Sequence, residues 1–254
     1  MADRDEGAPR ALVKTLDKRQ RCGDPSDMRL SLPVLCLSIV TTAASAQQCT
    51  DDAMLVFDGS GSMAEMGFNQ IGEPRIFEAR RAVATVMPQV AADRRIGLVV
   101  YGPGSVDPCG GVKLHFPPVQ HAADRLIGAV DALSPEGSTA LTAAVEMAAG
   151  VLKYEEQPAT IVLVTDGKET CGGQPCALAA DLSAEGFATT VHVIGFKVRG
   201  NYFAWGSEGA SDYVEAEPVA RCLADRTGGT YSSAESLDEL IAALRVTLGC
   251  NVLF

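Results

Sequence analysis

Ala53-Met-Leu-Val-Phe57 runs straight into Asp58-Gly59-Ser60-Gly61-Ser62, and Ala159-Thr-Ile-Val-Leu-Val-Thr165 runs as directly into Asp166-Gly167. Both apolar runs are short and lack the polar alternation of a half-exposed strand, so each reads as a strand buried on both faces. Strands of that kind belong to parallel sheets, because the crossover helices that connect them also cover them. Working outward, residues 95–101 and 189–196 give two more apolar strands, 112–116 a short edge strand and 230–232 another short strand. Helical spacing of apolar residues marks 76–90, 122–133, 140–154, 178–184, 219–227 and 237–246. This alternation predicts an α/β fold: a single doubly wound, mostly parallel sheet with helices on both faces and one antiparallel edge strand.

The segment ahead of this domain has a different composition. Residues 1–27 are charged and unpatterned, and read as a non-native extension or a leader. Met28-Arg29 opens a basic start, residues 30–40 are apolar but too short to span a bilayer, and Ala44-Ser45-Ala46 offers a small-residue cleavage site. Residues 28–46 are therefore expected to be a signal peptide, with 47–254 as the exported domain. Either Met28 is the true start or the signal carries a long leader; the charge layout favours Met28. No later apolar run is long enough to cross a membrane.

The whole chain carries a net charge of −11. Residues 1–46 hold seven Lys/Arg and six Asp/Glu, so the remainder has 14 basic and 26 acidic side chains, a net of −12. A body this acidic, without a basic cluster, repels phosphate backbones and excludes nucleic acid as a partner. Six of the eight cysteines lie beyond the signal: Cys49, Cys109, Cys171, Cys176, Cys222 and Cys250. An even number in an exported chain reads as three disulfides, and no paired C-x-x-C spacing offers a zinc site instead.

Ligands of open α/β sheets gather at the carboxyl ends of the strands. Three polar clusters fall there: Asp58-Gly-Ser60-Gly-Ser62, Gly137-Ser-Thr139-Ala-Leu141, and Thr165-Asp166-Gly167. Each has a local explanation by itself, since Ser60, Ser62 and Thr139 are of types that cap helices and Thr-Asp-Gly makes turns. Together they offer two carboxylates and several hydroxyls with no thiol or imidazole, a donor set suited to Mg²⁺, Mn²⁺ or Ca²⁺. Gly59 and Gly61 are expected to let the first loop turn sharply around an ion.

D-x-S-x-S after the first strand, a distant Thr in G-x-T-x-L, and T-D-G after a later strand resemble the metal-ion-dependent adhesion site (MIDAS) of the von Willebrand factor type A fold, a Rossmann-like family. The resemblance extends over residues 51–246. It implies a metal site of Asp58, Ser60, Ser62, Thr139 and Asp166. Ser60 and Ser62 would bind through their hydroxyls and Thr139 would join directly in a high-affinity state. Asp58 and Asp166 would act closely or through water. It further implies Mg²⁺ as the cation and a coordination position completed by a Glu or Asp of a protein or peptide partner.

The Cys171-to-Cys176 segment, and Cys222 ahead of Thr227-Gly-Gly-Thr-Tyr231, resemble a bacterial exported subgroup of the same family. Because the family's chain ends lie close together, the resemblance pairs Cys49 with Cys250. It favours Cys109–Cys171 and Cys176–Cys222 for the rest, against a local Cys171–Cys176 loop with Cys109–Cys222. Between Lys197 and Pro218 lie Tyr202, Phe203, Trp205 and Tyr213, either a recognition loop or rings packed locally.

The expected function is metal-dependent binding without catalysis. One alternative is a phosphatase or hydrolase with Asp58 as nucleophile, for which Lys168 is the single nearby candidate to hold phosphate. Another is a module that the metal merely stiffens. His115, His121 and His192 are scattered and form no triad, and His192 is expected to be a satisfied residue within its strand.

Overall fold

Every side chain of β1 (Ala53–Asp58) and of β2 (Ile96–Tyr101) is buried, as strands covered on both faces require. The computed structural model describes residues 52–66, 72–198 and 220–249, all within the compact unit Ser45–Phe254. The leader, the signal segment, Cys49, Cys250 and the aromatic stretch from Tyr202 to Tyr213 lie outside the described residues. In these residues, six strands form one sheet in the order β3-β2-β1-β4-β5-β6. The further strands are β3 (Lys113–Val119), β4 (Pro158–Thr165), β5 (Ala188–Phe196) and β6 (Tyr231–Ala234). All neighbours are parallel except β2 and β3, so β3 is the antiparallel edge.

Helices α1 (Arg75–Asp93), α2 (Ala123–Asp131) and α6 (Leu237–Leu248) cover one face. They pack on Leu55, Phe57, Leu98, Val100 and Val162. Helices α3 (Leu141–Leu152), α4 (Pro175–Glu185) and α5, described over 220–227, cover the other. There they meet Met54, Val56, Val99, Leu163 and Val193. Side chains of a strand alternate between faces, so the continuous apolar run of β1 supplies both cores at once. The doubly wound α/β architecture is as expected.

Prolines displace two of the expected boundaries and sit inside one helix. The edge strand continues through Pro117 and Pro118 to Val119, because an edge position does not need the missing N–H. Helix α4 starts at Pro175 rather than residue 178, as Pro is well suited to a first helical position. Helix α1 carries Pro88 inside it, on its exposed side, where a freed carbonyl can turn to water.

Chain order places the site. From β1 the chain winds outward to β2 and β3, and then returns to lay β4 on the opposite side of β1. The carboxyl ends of β1 and β4 therefore border the crevice where the winding reverses. Two disulfides fasten this end: Cys109–Cys171 joins the loops after β2 and β4, and Cys176–Cys222 joins α4 to α5. Their Cα atoms are 5.5 and 5.4 Å apart. The favoured pairing is thus the one present, and the local Cys171–Cys176 alternative is excluded. Among the described residues no helix is long and apolar enough to cross a membrane.

Candidate metal centre

Asp58 ends β1 beside Tyr101 of β2, and Phe57 pairs with Val164, which brings Asp58 level with Thr165 at the end of β4. From this register a connected set of oxygens follows. Ser60 donates to Asp58 Oδ1 twice, from its backbone N–H at 2.9 Å and its hydroxyl at 2.6 Å. Ser60 Oγ lies 3.0 Å from Ser62 Oγ, and the Ser62 hydroxyl donates to Asp166 Oδ1 at 2.6 Å. The second oxygen of Asp58 accepts from the Thr165 hydroxyl at 2.9 Å and the Asp166 N–H at 3.2 Å. Four of the five predicted residues thus form one chain of neighbouring oxygens, closed by the bond from the Asp166 N–H to Asp58.

Thr139 stands beside that chain rather than in it. It is buried, and a Cβ placed on Gly167 would lie 4.0 Å from its hydroxyl oxygen. Its N–H donates to Thr170 Oγ1 at 2.8 Å, and its carbonyl accepts from the Thr170 N–H at 3.0 Å. The backbones close the arrangement: Gly61 N–H donates to Gly137 O at 3.1 Å and Glu136 N–H to Gly59 O at 3.0 Å. All three loops therefore meet.

The Thr165 hydroxyl does make a local turn with Gly167, but the capping explanations of Ser60 and Thr139 do not hold. The Ser60 side chain makes no cap bond to the short 3₁₀ turn Gly61–Ala64 that follows it. The start of α3 is held not by Thr139 but by Glu169, which accepts from the N–H and hydroxyl of Thr142 at 2.8 and 2.7 Å. The glycine expectation needs correction: Gly59 and Gly61 are not among the residues with positive φ. The left-handed turns fall at Gly102 (φ 109°) and Gly137 (φ 76°). A Cβ on Gly102 would come within 2.5 Å of Ser60 N, so the chain after β2 can press against the Asp58 loop only without a side chain there.

Charge is concentrated in this dry space. Asp58 and Asp166 are both wholly buried. Burial first, and the Asp58 charge second, push the Asp166 carboxyl well above its ordinary range, while Arg75 and Ser62 oppose the rise. Burial, then the Asp58 charge, also raises the Tyr101 phenol, which stays a neutral donor to Thr165 Oγ1 at 2.9 Å. Arg75 supplies the counter-charge: its guanidinium donates to Asp166 Oδ2 at 3.1 Å and to the Ser62 carbonyl at 3.0 Å.

The donor set fits a hard divalent cation. Two buried carboxylates face one guanidinium, leaving the group short of positive charge, and the adjoining donors are neutral hydroxyls. Among the described residues no group of three or more His, Cys, Asp or Glu is placed to hold a metal ion, so an ion here would need the hydroxyls as ligands as well. Sequence reasoning missed Arg75, Glu169 and Thr170, and placed Thr165 in its rim cluster without giving it a role. For Arg75 a signal existed: a cation in the first turn of a helix opposes the helix dipole and needs a specific reason.

Known proteins match this architecture. The family model for the von Willebrand factor type A domain matches residues 53–169. YwmD of Bacillus subtilis (strain 168) is 28% identical over 218 residues, 81% of this chain and 89% of YwmD. Among solved structures, the pilus adhesin SpaC from Lactobacillus rhamnosus GG superposes with a TM-score of 0.57 at 16% identity over 80% of this chain. The match spans only 31% of the adhesin's length. Proximal thread matrix protein 1 from the mussel byssus, in a structure with a zinc-occupied MIDAS motif, gives 0.50 at 18% identity, covering 78% of this chain and 44% of that one. Sheet order, the family-model match over residues 53–169 and the solved structures agree that this chain has the fold of von Willebrand factor type A domains.

Proposed function

We propose that the chain is an exported binding module that grips an acidic side chain of a protein partner through a divalent cation, and that it catalyses no reaction. The observation that carries this reading is the chain Asp58–Ser60–Ser62–Asp166 at the crevice between β1 and β4. Ser60, Ser62 and Thr139 would hold the ion through hydroxyls, with Asp58 and Asp166 directly or through water. A bound Mg²⁺, Mn²⁺ or Ca²⁺ would supply a Lewis-acidic position for the partner's Glu or Asp carboxylate. Ser62 is partly exposed while Asp58, Ser60 and Asp166 are buried, so the approach lies on the Ser62 side.

Binding is favoured over nucleophilic chemistry because both oxygens of Asp58 are occupied by hydrogen bonds and neither is exposed. The adhesin among the matched structures supports a binding role, and the mussel protein's zinc-occupied motif supports a divalent cation at this place in the fold. Export is supported by the signal-like residues 28–46 and by disulfides, which persist in oxidising compartments.

Titration calorimetry of the full chain with Mg²⁺, alone and with a Glu-bearing peptide, tests the proposal. Mg²⁺ should bind, and the peptide should tighten it, because two ligands meeting at one site are reciprocally coupled. Asp58→Ala and the milder Ser62→Ala should weaken both. Binding of Mg²⁺ that no carboxylate affects would leave a module that the metal only stiffens. No Mg²⁺ binding at all would overturn the reading.

A further inference from the structure

Arg75 is 1% exposed, yet it is the first residue of α1, where the helix dipole disfavours a cation. Burying a guanidinium is costly unless it is paired and fully hydrogen-bonded. Its two carboxylate contacts are unequal. Glu65 is 3.4 Å away with a side chain 66% exposed, where solvent weakens the attraction. Asp166 is 3.1 Å away and wholly buried. Arg75 also donates to the carbonyl of Ser62, so one side chain fixes both ends of the Ser62–Asp166 hydrogen bond.

We propose that Arg75 is a built-in counter-ion of the metal site, a positioning residue that holds Asp166 and the Ser62 loop in place without metal and thereby limits how tightly a divalent cation binds. This rests on the metal reading of the preceding subsection. Asp58 and Asp166 stand in one buried hydrogen-bonded network to which the Arg75 guanidinium is bonded. Arg75 neutralises the outer oxygen of Asp166 and leaves only Oδ1 turned to Ser62. An arriving cation meets a partly neutralised site and a like charge behind it. Removing the guanidinium therefore exposes metal-free protein to carboxylate repulsion and strengthens the pull on the metal.

The test uses Arg75→Gln, which can still donate hydrogen bonds but carries no charge, and Arg75→Lys, which keeps the charge. Mg²⁺ affinity is measured by calorimetry, and melting temperature is recorded in chelator and in saturating Mg²⁺. Arg75→Gln should bind Mg²⁺ about tenfold more tightly than the wild type, within the usual range of coupling between two sites. Its melting temperature should fall in chelator and recover most of the loss with Mg²⁺. Arg75→Lys should stay near the wild type in both measurements.

Equal or weaker Mg²⁺ affinity in Arg75→Gln, or an equal melting deficit with and without metal, would overturn the counter-ion role and leave Arg75 a structural residue. Should Arg75→Gln not fold in chelator, it is prepared in Mg²⁺ and its affinity taken by competition with chelator, with the same two outcomes. A wild type that binds no Mg²⁺ overturns the metal reading itself, a failure separate from that of Arg75.

Discussion

The Thr165 hydroxyl links Tyr101 to Asp58: it accepts from the Tyr101 phenol and donates to Asp58 Oδ2, both at 2.9 Å. Thr165→Val keeps the shape but leaves a buried phenol without its acceptor and a buried carboxylate oxygen with one donor fewer. The expected loss is about 1–3 kcal/mol in urea denaturation. Tyr101→Phe removes only the outer donor and should cost less, about 0.5–1.5 kcal/mol. Equal costs would mean that Thr165 is not the relay. The rim cluster was legible because Asp58, Ser60, Ser62 and Asp166 follow apolar strands, where packing gives no reason for them, and Thr139 stands just ahead of α3. The pairing of Arg75 was not, although its place at a helix start marks it: its partner Asp166 is 91 positions away, and no local period connects a helix start to a strand end.

Between elements, a side-chain contact of His192 adds to the backbone pairing of β5 with β6. His192 Nδ1 accepts from the Thr230 N–H at 3.1 Å, next to the first residue of β6. Burial, and then Arg94, lower its pKa below the usual 6.5. The unfolded chain therefore takes up the proton first, and stability present above pH 6.5 is lost as pH falls from there through the lower folded value. Wild type should lose more stability between pH 7.5 and 5.5 than His192→Gln, measured by urea denaturation at each pH. Parallel curves would show that this contact does not titrate as argued. At this scale β1, β2 and β4 were readable because burial on both faces writes itself as an apolar run, and β5 from its β-branched residues, though its burial alternates over its first half. The limits of β3 and α4 were not, because Pro117, Pro118 and Pro175 look like breakers until the edge position of one and the first-turn position of the other are known.

Over the whole molecule, charge and the proposed function pull in opposite directions. Beyond residue 46 the chain has 26 acidic and 14 basic side chains, and the proposed partner presents a carboxylate. A partner that is acidic around that carboxylate is repelled at long range and attracted only at short range, where the ion and the site's hydroxyls act. Salt separates these two contributions. The Debye length falls from about 30 Å at 0.01 M to about 10 Å at 0.1 M, so salt screens the distant surface charge and leaves a partly buried contact much less affected. With Mg²⁺ held saturating, the association rate of a Glu-rich peptide should rise as NaCl increases over that range, while its dissociation rate changes little. Surface plasmon resonance at several salt concentrations measures both. An association rate that falls with salt would mean the peptide senses a positive field before contact, placing a basic recognition surface near the rim and making the acidic body irrelevant to encounter.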